Sequence, residues 1–431
     1  MMRSYSENNL NLSIYCINIY KIACIIYIVF IIFSPPENNW ISILFLLLTN
    51  TVLLYKCRDN IFLLIITIII TYSNYSIIYA NYISPLNDSI FTRFISKGIN
   101  ELSLEILTVF NILFFLLFPI KIYPYSPDKN LFSNQYSCAP IIPIFIFIWV
   151  IISYFYGFSI SDVIGERGSP KPVYEYTLCI FILGYYFFKS KKLKLTLDIC
   201  ILLYAAQNFI YGGRILGLQF LLCFYIFRLS HIFKRRTFLL SSIPIILLMQ
   251  IIGVARGELL YGNFSIEQIL DSLIKGGGAL DTAYSAFHTS KIFVFMDKMI
   301  PYKIPYITAF FMSILLGWNS FQQYQLNITA HRYFTNYEGG IYPFHWYFYF
   351  NWIGVAISAL ILKPFINMVN GIGNKDQSGL KKCIGIYFVC SCFRWYLYSP
   401  TGFYRGSILL AILYMFFNYF SKIHSKGIIS S

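Results

Sequence analysis

Charged residues are scarce in this sequence: they make up 12% of its 431 residues, whereas 58% are hydrophobic and 20% aromatic. A soluble domain rarely tolerates so few charges, so a water-soluble globular protein is excluded. Apolar runs such as Ile61–Ile70 and Ile141–Ile152 recur along the chain. A helix needs roughly 20 such residues to cross a bilayer. The composition therefore predicts an all-α, polytopic integral membrane protein.

Several motifs that would indicate other functions are also missing. The ten cysteines avoid residues 256–344 and form no zinc-type cluster, so neither a disulfide framework nor a metal site is expected. The sequence has no Walker loop, no GxGxxG motif that opens a helix after a strand and no HExxH motif, so we expect no nucleotide cofactor. The net charge of +15 could indicate nucleic acid, but loop lysines and arginines of membrane proteins mainly set topology, and we expect no nucleic-acid partner.

The apolar pattern predicts twelve membrane spans within a single domain of residues 1–431. They are expected at 14–33, 40–55, 61–83, 104–122, 140–158, 172–189, 195–212, 214–233, 237–255, 344–368, 383–400 and 404–420. The strongest basic clusters lie at 189–194, 234–236 and 381–382. The positive-inside rule places these clusters in the cytoplasm, and twelve spans then put both termini there too.

With this topology, residues 256–344 form one large outer loop. Within it, Ile304–Trp318 is apolar but too short to cross, which favours a re-entrant or interfacial segment. A helix is expected at about Ala279–Phe293, where Asp281, Tyr284, Ser285 and His288 share one face. That face is interpreted as the solvated side of a surface helix.

Arginines mark the outer ends of several predicted spans. They are Arg214, Arg256, Arg394 and Arg405, with Arg332 inside the outer loop. A single arginine at a membrane surface commonly reaches out to lipid headgroups, but five on one side are harder to explain in that way. Guanidinium groups match phosphate oxygens with two parallel hydrogen bonds. The arginines therefore predict a pyrophosphate-binding site at the outer surface.

The outer loop is also rich in aromatic side chains, which stack on sugar rings but equally form membrane-interface belts. We predict glycan contacts for Tyr324, Tyr337, Tyr342 and His345. For a general base, the loop offers several histidines and acids, and His331 beside Arg332 is preferred because a histidine titrates near working pH. The alternative is that this histidine is structural.

Two local motifs resemble segments of the bacterial O-antigen and capsule repeat-unit polymerases, the Wzy family. Tyr211-Gly-Gly-Arg214 lies at an outer hairpin, and Glu338-Gly-Gly340 leads into the aromatic segment Phe344–Trp352 and Gly354. The long outer loop strengthens the resemblance. In many members an acid follows the Gly-Gly pair on the re-entering helix, whereas His345 and Trp346 occupy that neighbourhood here.

The resemblance implies a GT-C-like fold and a metal-independent glycosyltransferase without a cofactor. Its substrates would be glycans on undecaprenyl pyrophosphate at the periplasmic face of the bacterial inner membrane, with a chain-length-regulating membrane protein as a candidate partner. The five arginines would hold the pyrophosphates and stabilise the leaving group. His331, or an acid such as Glu338, would take the proton of the acceptor hydroxyl.

Two other functions remain open from the sequence. An O-antigen ligase would share the span number, the large loop and the donor, but would transfer to lipid A–core. A lipid-linked oligosaccharide flippase would also have about twelve spans, although we find no internal repeat of the kind that transporters show. A structural scaffold would need no clustered arginines.

Overall fold

The computed structural model describes residues 2–33, 39–83, 96–125, 136–159, 168–211, 213–230, 251, 266–267, 270–271, 279–317, 321–333 and 339–430. This part of the chain is helical apart from a two-stranded antiparallel ribbon. The ribbon pairs Phe158–Ser159 with Ser169–Pro170, and Phe158 lies opposite Pro170. The all-α class predicted from composition is confirmed.

Sixteen α-helices are numbered here in chain order over the described residues. They are α1 Met2–Phe33, α2 Asn39–Cys57, α3 Ile61–Ile78, α4 Lys97–Leu117, α5 Ile141–Tyr156, α6 Pro172–Glu175, α7 Thr177–Phe187, α8 Lys191–Ile210, α9 Arg214–Phe224, α10 Asp281–Met299, α11 Ile304–Leu315, α12 Leu326–Tyr333, α13 Tyr342–Asn370, α14 Gly379–Cys390, α15 Cys392–Leu397 and α16 Pro400–Ser430. Two π-helical turns, Tyr79–Ile83 and Tyr225–Leu229, extend α3 and α9.

Six of the described helices are long and apolar enough to cross a membrane. These are α2, α3 with its π-helical extension, α4, α8, α13 and α16. Their outward faces carry large exposed apolar side chains such as Leu44, Ile199 and Phe416, which suits contact with lipid rather than water. The chain therefore has the features of a membrane-embedded protein. Predicted span 237–255 lies almost wholly outside the described residues.

Three of the predicted spans are interrupted. The segment 172–189 is divided at Tyr176 into α6 and α7, and the segment 383–400 is divided at Ser391 into α14 and α15. In the third, α13, the backbone leaves helical geometry at Phe350 and Asn351, where the φ of Asn351 is +52°. The hydropathy pattern does not reveal these breaks because each lies within a segment that is apolar on average.

The break folds α13 into a helical hairpin. The hydroxyl of Tyr342 donates to the carbonyl of Ser358 at 3.3 Å, although 16 residues of continuous helix would separate these positions by about 24 Å. Near the turn, a Cβ atom on Gly354 would lie 1.9 Å from the carbonyl oxygen of Trp346. Glycine at 354 therefore allows the two halves, residues 342–349 and 352–370, to pack backbone against backbone.

Helix α4 lies at the centre of the packing and contacts α1, α2, α10 and α13. A buried amide network crosses the same region. The amide of Asn74 donates to the side-chain oxygens of Asn50 and Asn111 at 3.3 and 3.0 Å, and the Tyr396 hydroxyl donates to Asn74 at 2.8 Å. Such bonds between helices satisfy polar groups that lipid cannot, and they fix which helices are neighbours.

The helix predicted at about Ala279–Phe293 is confirmed as α10, but its interpretation as a solvated surface helix is wrong. Residues 286–294 are all buried, His288 among them, because α10 packs against α3, α4 and α13. Only the first turn keeps Asp281, Tyr284 and Ser285 partly exposed. A polar stripe on this helix faces the bundle interior rather than water.

Residues from three segments that were predicted to face the cytoplasm lie together at one end of the bundle. The amide of Asn60 donates to the carbonyl of Tyr123 at 2.9 Å, and the amide of Asn370 donates to the carbonyl of Lys121 at 2.9 Å. Arginines predicted at the outer surface bond to residues of α6, α10 and α11, which share that predicted side. These contacts therefore join helix ends that were predicted to face the same side of the membrane.

Candidate active site

The candidate site begins at a short turn between the ribbon and α7. Lys171 closes the ribbon with a backbone bond to Gly157 at 2.8 Å, and Pro172 then starts α6, a position where a missing N–H is tolerated. After one turn the helix ends at Glu175, and Tyr176 joins it to α7. This break in the predicted span sets a carboxylate and a phenol at the edge of the packed core.

The guanidinium of Arg394 donates to the Oε1 atom of Glu175. Arg394 lies on α15, just after the break at Ser391, and its side chain is 32% exposed against 21% for Glu175. The break shortens α14 and lets a separate turn carry the arginine toward α6. An arginine–carboxylate pair of this kind is directional, and its partial exposure leaves it accessible to a ligand.

A small cavity of about 20 Å³ adjoins this ion pair. Its polar lining comes from Glu175, Tyr176, Gln219, Ser391 and Arg394, and its apolar lining includes Trp395 and Phe403. The lining belongs to the α6–α7 junction, α9, α14–α15 and α16. The site therefore lies where four parts of the chain meet and is open to one side.

A second arginine interacts with a residue of the cavity lining. Arg405, in the first turns of α16, donates to the carbonyl of Ser313 near the end of α11 and interacts with the phenol of Tyr176. Tyr176 also interacts with Arg394. The Nε atom of Arg405 is buried and has no acceptor among the described residues. Two guanidinium groups thus share one tyrosine.

Arg214 forms an ion pair outside this cavity lining. It is the first residue of α9, and its Nη2 atom lies 2.6 Å from the Oδ2 atom of Asp281 at the start of α10. The arginine side chain is 13% exposed and the aspartate 45%. Asp281 was considered as a base from sequence, whereas here it neutralises an arginine and joins two helices.

The remaining predicted binding and catalytic residues lie outside this cavity lining. His331 and Arg332 are exposed at the end of α12, which packs on α10. Arg256, Glu338 and Tyr337 fall outside the described residues. The structure therefore brings Arg394 and Arg405 together, and the roles of the other arginines, His331 and Glu338 stay predictions.

The residues predicted to contact glycan are largely interior. Tyr342 is fully buried, and its hydroxyl lies 2.7 Å from that of Tyr404. The Nε2 atom of His345 is 3.2 Å from the carbonyl oxygen of Tyr398. Tyr324 is half-buried with its ring 5.7 Å from that of Tyr306. A sugar can reach Tyr342 or His345 only if this packing opens, so their glycan contacts stay predictions.

The sequence-based argument overlooked Glu175. The available signal was an acid at the start of an apolar segment, on the side where the arginines were predicted. Its partner Arg394 is 219 residues away, so no local pattern joins the two. The net charge of Arg394, Arg405 and Glu175 together is positive, and this favours an anionic ligand.

Comparison with family models, with curated proteins and with solved structures found no match for this chain. Within the described ranges, no three His, Cys, Asp or Glu side chains are grouped in a way that could hold a metal ion. Function is therefore inferred from the arginines, the acid and the cavity themselves.

Proposed function

We propose that this protein polymerises undecaprenyl-pyrophosphate-linked oligosaccharide repeat units into O-antigen or capsular polysaccharide. The observation that carries the proposal is that Arg394 and Glu175 line one cavity, while Arg405 interacts with Tyr176 of the same lining. Two guanidinium groups at a partly open cavity between membrane helices suit a lipid-linked pyrophosphate. Twelve spans, a GT-C-like fold and an inner-membrane location with the cavity on the periplasmic face belong to the same proposal.

In the proposed reaction, a hydroxyl of an incoming repeat unit attacks the anomeric carbon of the growing chain. A new C–O bond forms as the bond from that carbon to the pyrophosphate breaks, and its electron pair remains on the leaving oxygen. Arg394 and Arg405 offset the negative charge that develops there. The hydroxyl proton must pass to a base, and no metal or cofactor is required by this scheme.

The structure adds Glu175 to His331 and Glu338 as a candidate base. Glu175 is favoured because it lines the same cavity as Arg394, whereas His331 lies on α12 and is exposed. Glu175 is held by Arg394 in the ligand-free protein. When pyrophosphate oxygens take over the guanidinium, the carboxylate is released from the ion pair and is free to accept a hydrogen bond from the acceptor hydroxyl. Donor binding would thus activate the base for the acceptor.

The ligase and the flippase remain alternatives of the same glycan pathway. A ligase would use the same donor pyrophosphate, so the two arginines do not discriminate against it. A flippase would need polar groups along a path through the bilayer, whereas Arg394, Arg405 and Glu175 lie together at one predicted side. The grouping of the acid and both arginines around Tyr176 favours a transferase over the flippase, and the resemblance of the sequence motifs to the repeat-unit polymerases favours the polymerase over the ligase.

The test is a gel of surface polysaccharide from a strain that lacks this protein and carries each variant in turn. Arg394→Lys, Arg405→Lys and Glu175→Gln should each remove the long-chain ladder and leave a single repeat unit on lipid A–core. Lysine keeps the charge but loses the bidentate geometry. Arg228→Lys is the matched control, since Arg228 pairs with Asp198 at 2.8 Å at the opposite predicted end, and its ladder should persist.

The variants must be present in the membrane at the wild-type level. Full ladders from all three would overturn the proposal. Loss of even the single-unit band would favour a ligase or a flippase, and the side of the membrane on which lipid-linked units accumulate would separate those two.

A further inference from the structure

A second buried acid lies away from the cavity, in the interior of a membrane-spanning helix. Glu105 is on α4 and is only 4% exposed. Within the described part of the chain, no cation lies within ion-pair distance of it, and its carboxyl forms no hydrogen bond. An ionised carboxylate in such surroundings is very unfavourable, and a buried acid without a counterion keeps its proton instead.

The surroundings of Glu105 are phenolic rather than cationic. Tyr27 of α1, Tyr82 of the π-helical turn and Tyr347 of α13 all interact with it electrostatically. Helix α10 also packs on α4, but its buried Lys291 donates to Asn81 and its Asp297 accepts from Lys303. Among the residues that the structure describes, the helices around Glu105 therefore supply phenolic hydroxyl groups and no cation that pairs with it.

One of these phenols connects the buried acid to the surface. The Tyr82 hydroxyl donates to the carbonyl of Asn100 at 3.1 Å, which sets its ring along the first turns of α4, and it interacts with both Glu101 and Glu105. Glu101 is one turn before Glu105, is 21% exposed and pairs with Lys97 at 3.7 Å. The Lys97 side chain is 85% exposed. Glu101 and Glu105 thus lie one turn apart on the same face of α4, and the Tyr82 hydroxyl is bonded to the carbonyl of Asn100 beside them.

We propose that Glu105 is a proton-binding site inside the membrane, loaded from the surface through Glu101 and Tyr82. The site takes a proton, and the π-helical turn of α3, a feature that is frequent at functional sites, positions its intermediate phenol. Proton relays of acids and phenols in membrane helices mark functional paths. This inference does not rest on the proposed glycosyl transfer, because Glu105 lies outside the cavity lining.

The first test uses dicyclohexylcarbodiimide, an apolar reagent that reacts with protonated carboxylic acids within membranes. The acid O–H adds across one C=N bond, and the adduct rearranges to a stable N-acylurea, so the whole reagent is retained and nothing leaves. In the full-length protein in lipid nanodiscs, mass spectrometry should find the adduct on Glu105 and not on Glu101, its matched neighbour one turn away. After unfolding in detergent, the two should react alike.

A second measurement is infrared spectroscopy of the same nanodiscs. The carbonyl band of a protonated carboxylic acid should be present in the wild type, absent in Glu105→Gln and retained in Glu101→Gln. Tyr82→Phe should keep the band but slow its shift in heavy water severalfold, since the phenol that relays the proton is lost. Equal labelling of both glutamates in the folded protein, or a band that survives in Glu105→Gln, would overturn the proposal.

Discussion

At the scale of single residues, Lys291 is the charged group that the fold treats most unusually. It is 6% exposed on α10, which is not one of the helices long and apolar enough to span a membrane. Its Nζ atom donates to the side-chain oxygen of Asn81 at 2.8 Å and lies 4.9 Å from the ring centre of Phe287. Burial lowers the pKa of Lys291 from 10.5 to about 7.

This shift predicts how stability depends on pH. Between pH 7 and 10.5 the unfolded protein holds the proton more tightly than the folded one, so the free energy of unfolding should rise with pH through this range. Lys291→Met should flatten that rise and stabilise the protein at pH 7. Thermal unfolding of the detergent-solubilised protein at several pH values would measure both effects.

Lys298→Met is the control for that experiment, because Lys298 is exposed on the same helix and should leave the pH profile unchanged. A Lys291→Met profile that runs parallel to the wild type would show that the amine titrates normally in the fold.

At the scale of elements, the helical hairpin of α13 is the main departure from a simple bundle. Hydrogen bonds join its turn to the end of α10 and the connection that follows. With its amide nitrogen turned toward Asp297, Asn351 donates to both carboxylate oxygens at 3.2 and 3.1 Å, and Asp297 also accepts from Lys303. The ammonium of Lys303 lies 5.5 Å from the ring centre of Phe348. The backbone of Asn351, at φ +52° and ψ −141°, lies outside the left-handed helical region, and the hydrogen bonds to Asp297 hold it in the turn.

Removing this fastening should destabilise the hairpin. Asn351→Ala loses hydrogen bonds to a charged group, so we expect a loss of about 2 kcal/mol in the free energy of unfolding. Denaturant unfolding of the purified protein would measure it. Asn374→Ala, in the exposed loop after α13, should change stability by no more than a few tenths of a kcal/mol, and equal effects of the two variants would contradict the assignment.

The hairpin also shows what the sequence could and could not predict. Hydropathy located α13 as a continuous apolar run, and the helical spacing of polar residues located α10. It missed the turn because residues 344–352 are almost all aromatic, with neither proline nor glycine at the break. Gly354 and Asn351 were the only local signals, and each acquires its meaning from a partner, Trp346 or Asp297, that the chain brings back in three dimensions.

At the scale of the whole molecule, charge sets the arrangement of the bundle. The five arginines could be identified from sequence because a cation in an apolar chain is conspicuous. Their partners could not be identified from sequence, because Arg214 and Asp281 are 67 residues apart and Arg394 and Glu175 are 219 residues apart. Each ion pair joins two helices that are distant in sequence, on the side that was predicted to face outward.

The same contacts make the predicted topology testable. Residues after α13 carry the basic cluster that the positive-inside rule places in the cytoplasm, whereas the α10–α11 connection belongs to the predicted periplasmic loop. Tyr302 in that connection is 64% exposed, and Asp376 in the loop after α13 is also exposed. A cysteine at either position should be reachable by a reagent without disturbing the bundle.

In a bacterial inner membrane, a membrane-impermeant maleimide should label Tyr302→Cys in cells whose outer membrane is permeabilised, and should label Asp376→Cys only after the inner membrane is broken. The wild-type protein supplies the background from its own cysteines, nine of which are free thiols in the described chain and mostly buried. The reverse pattern would place Arg394, Arg405 and Glu175 on the cytoplasmic side. Periplasmic glycan polymerisation would then be excluded, because donor pyrophosphates presented at the outer leaflet could not reach these residues.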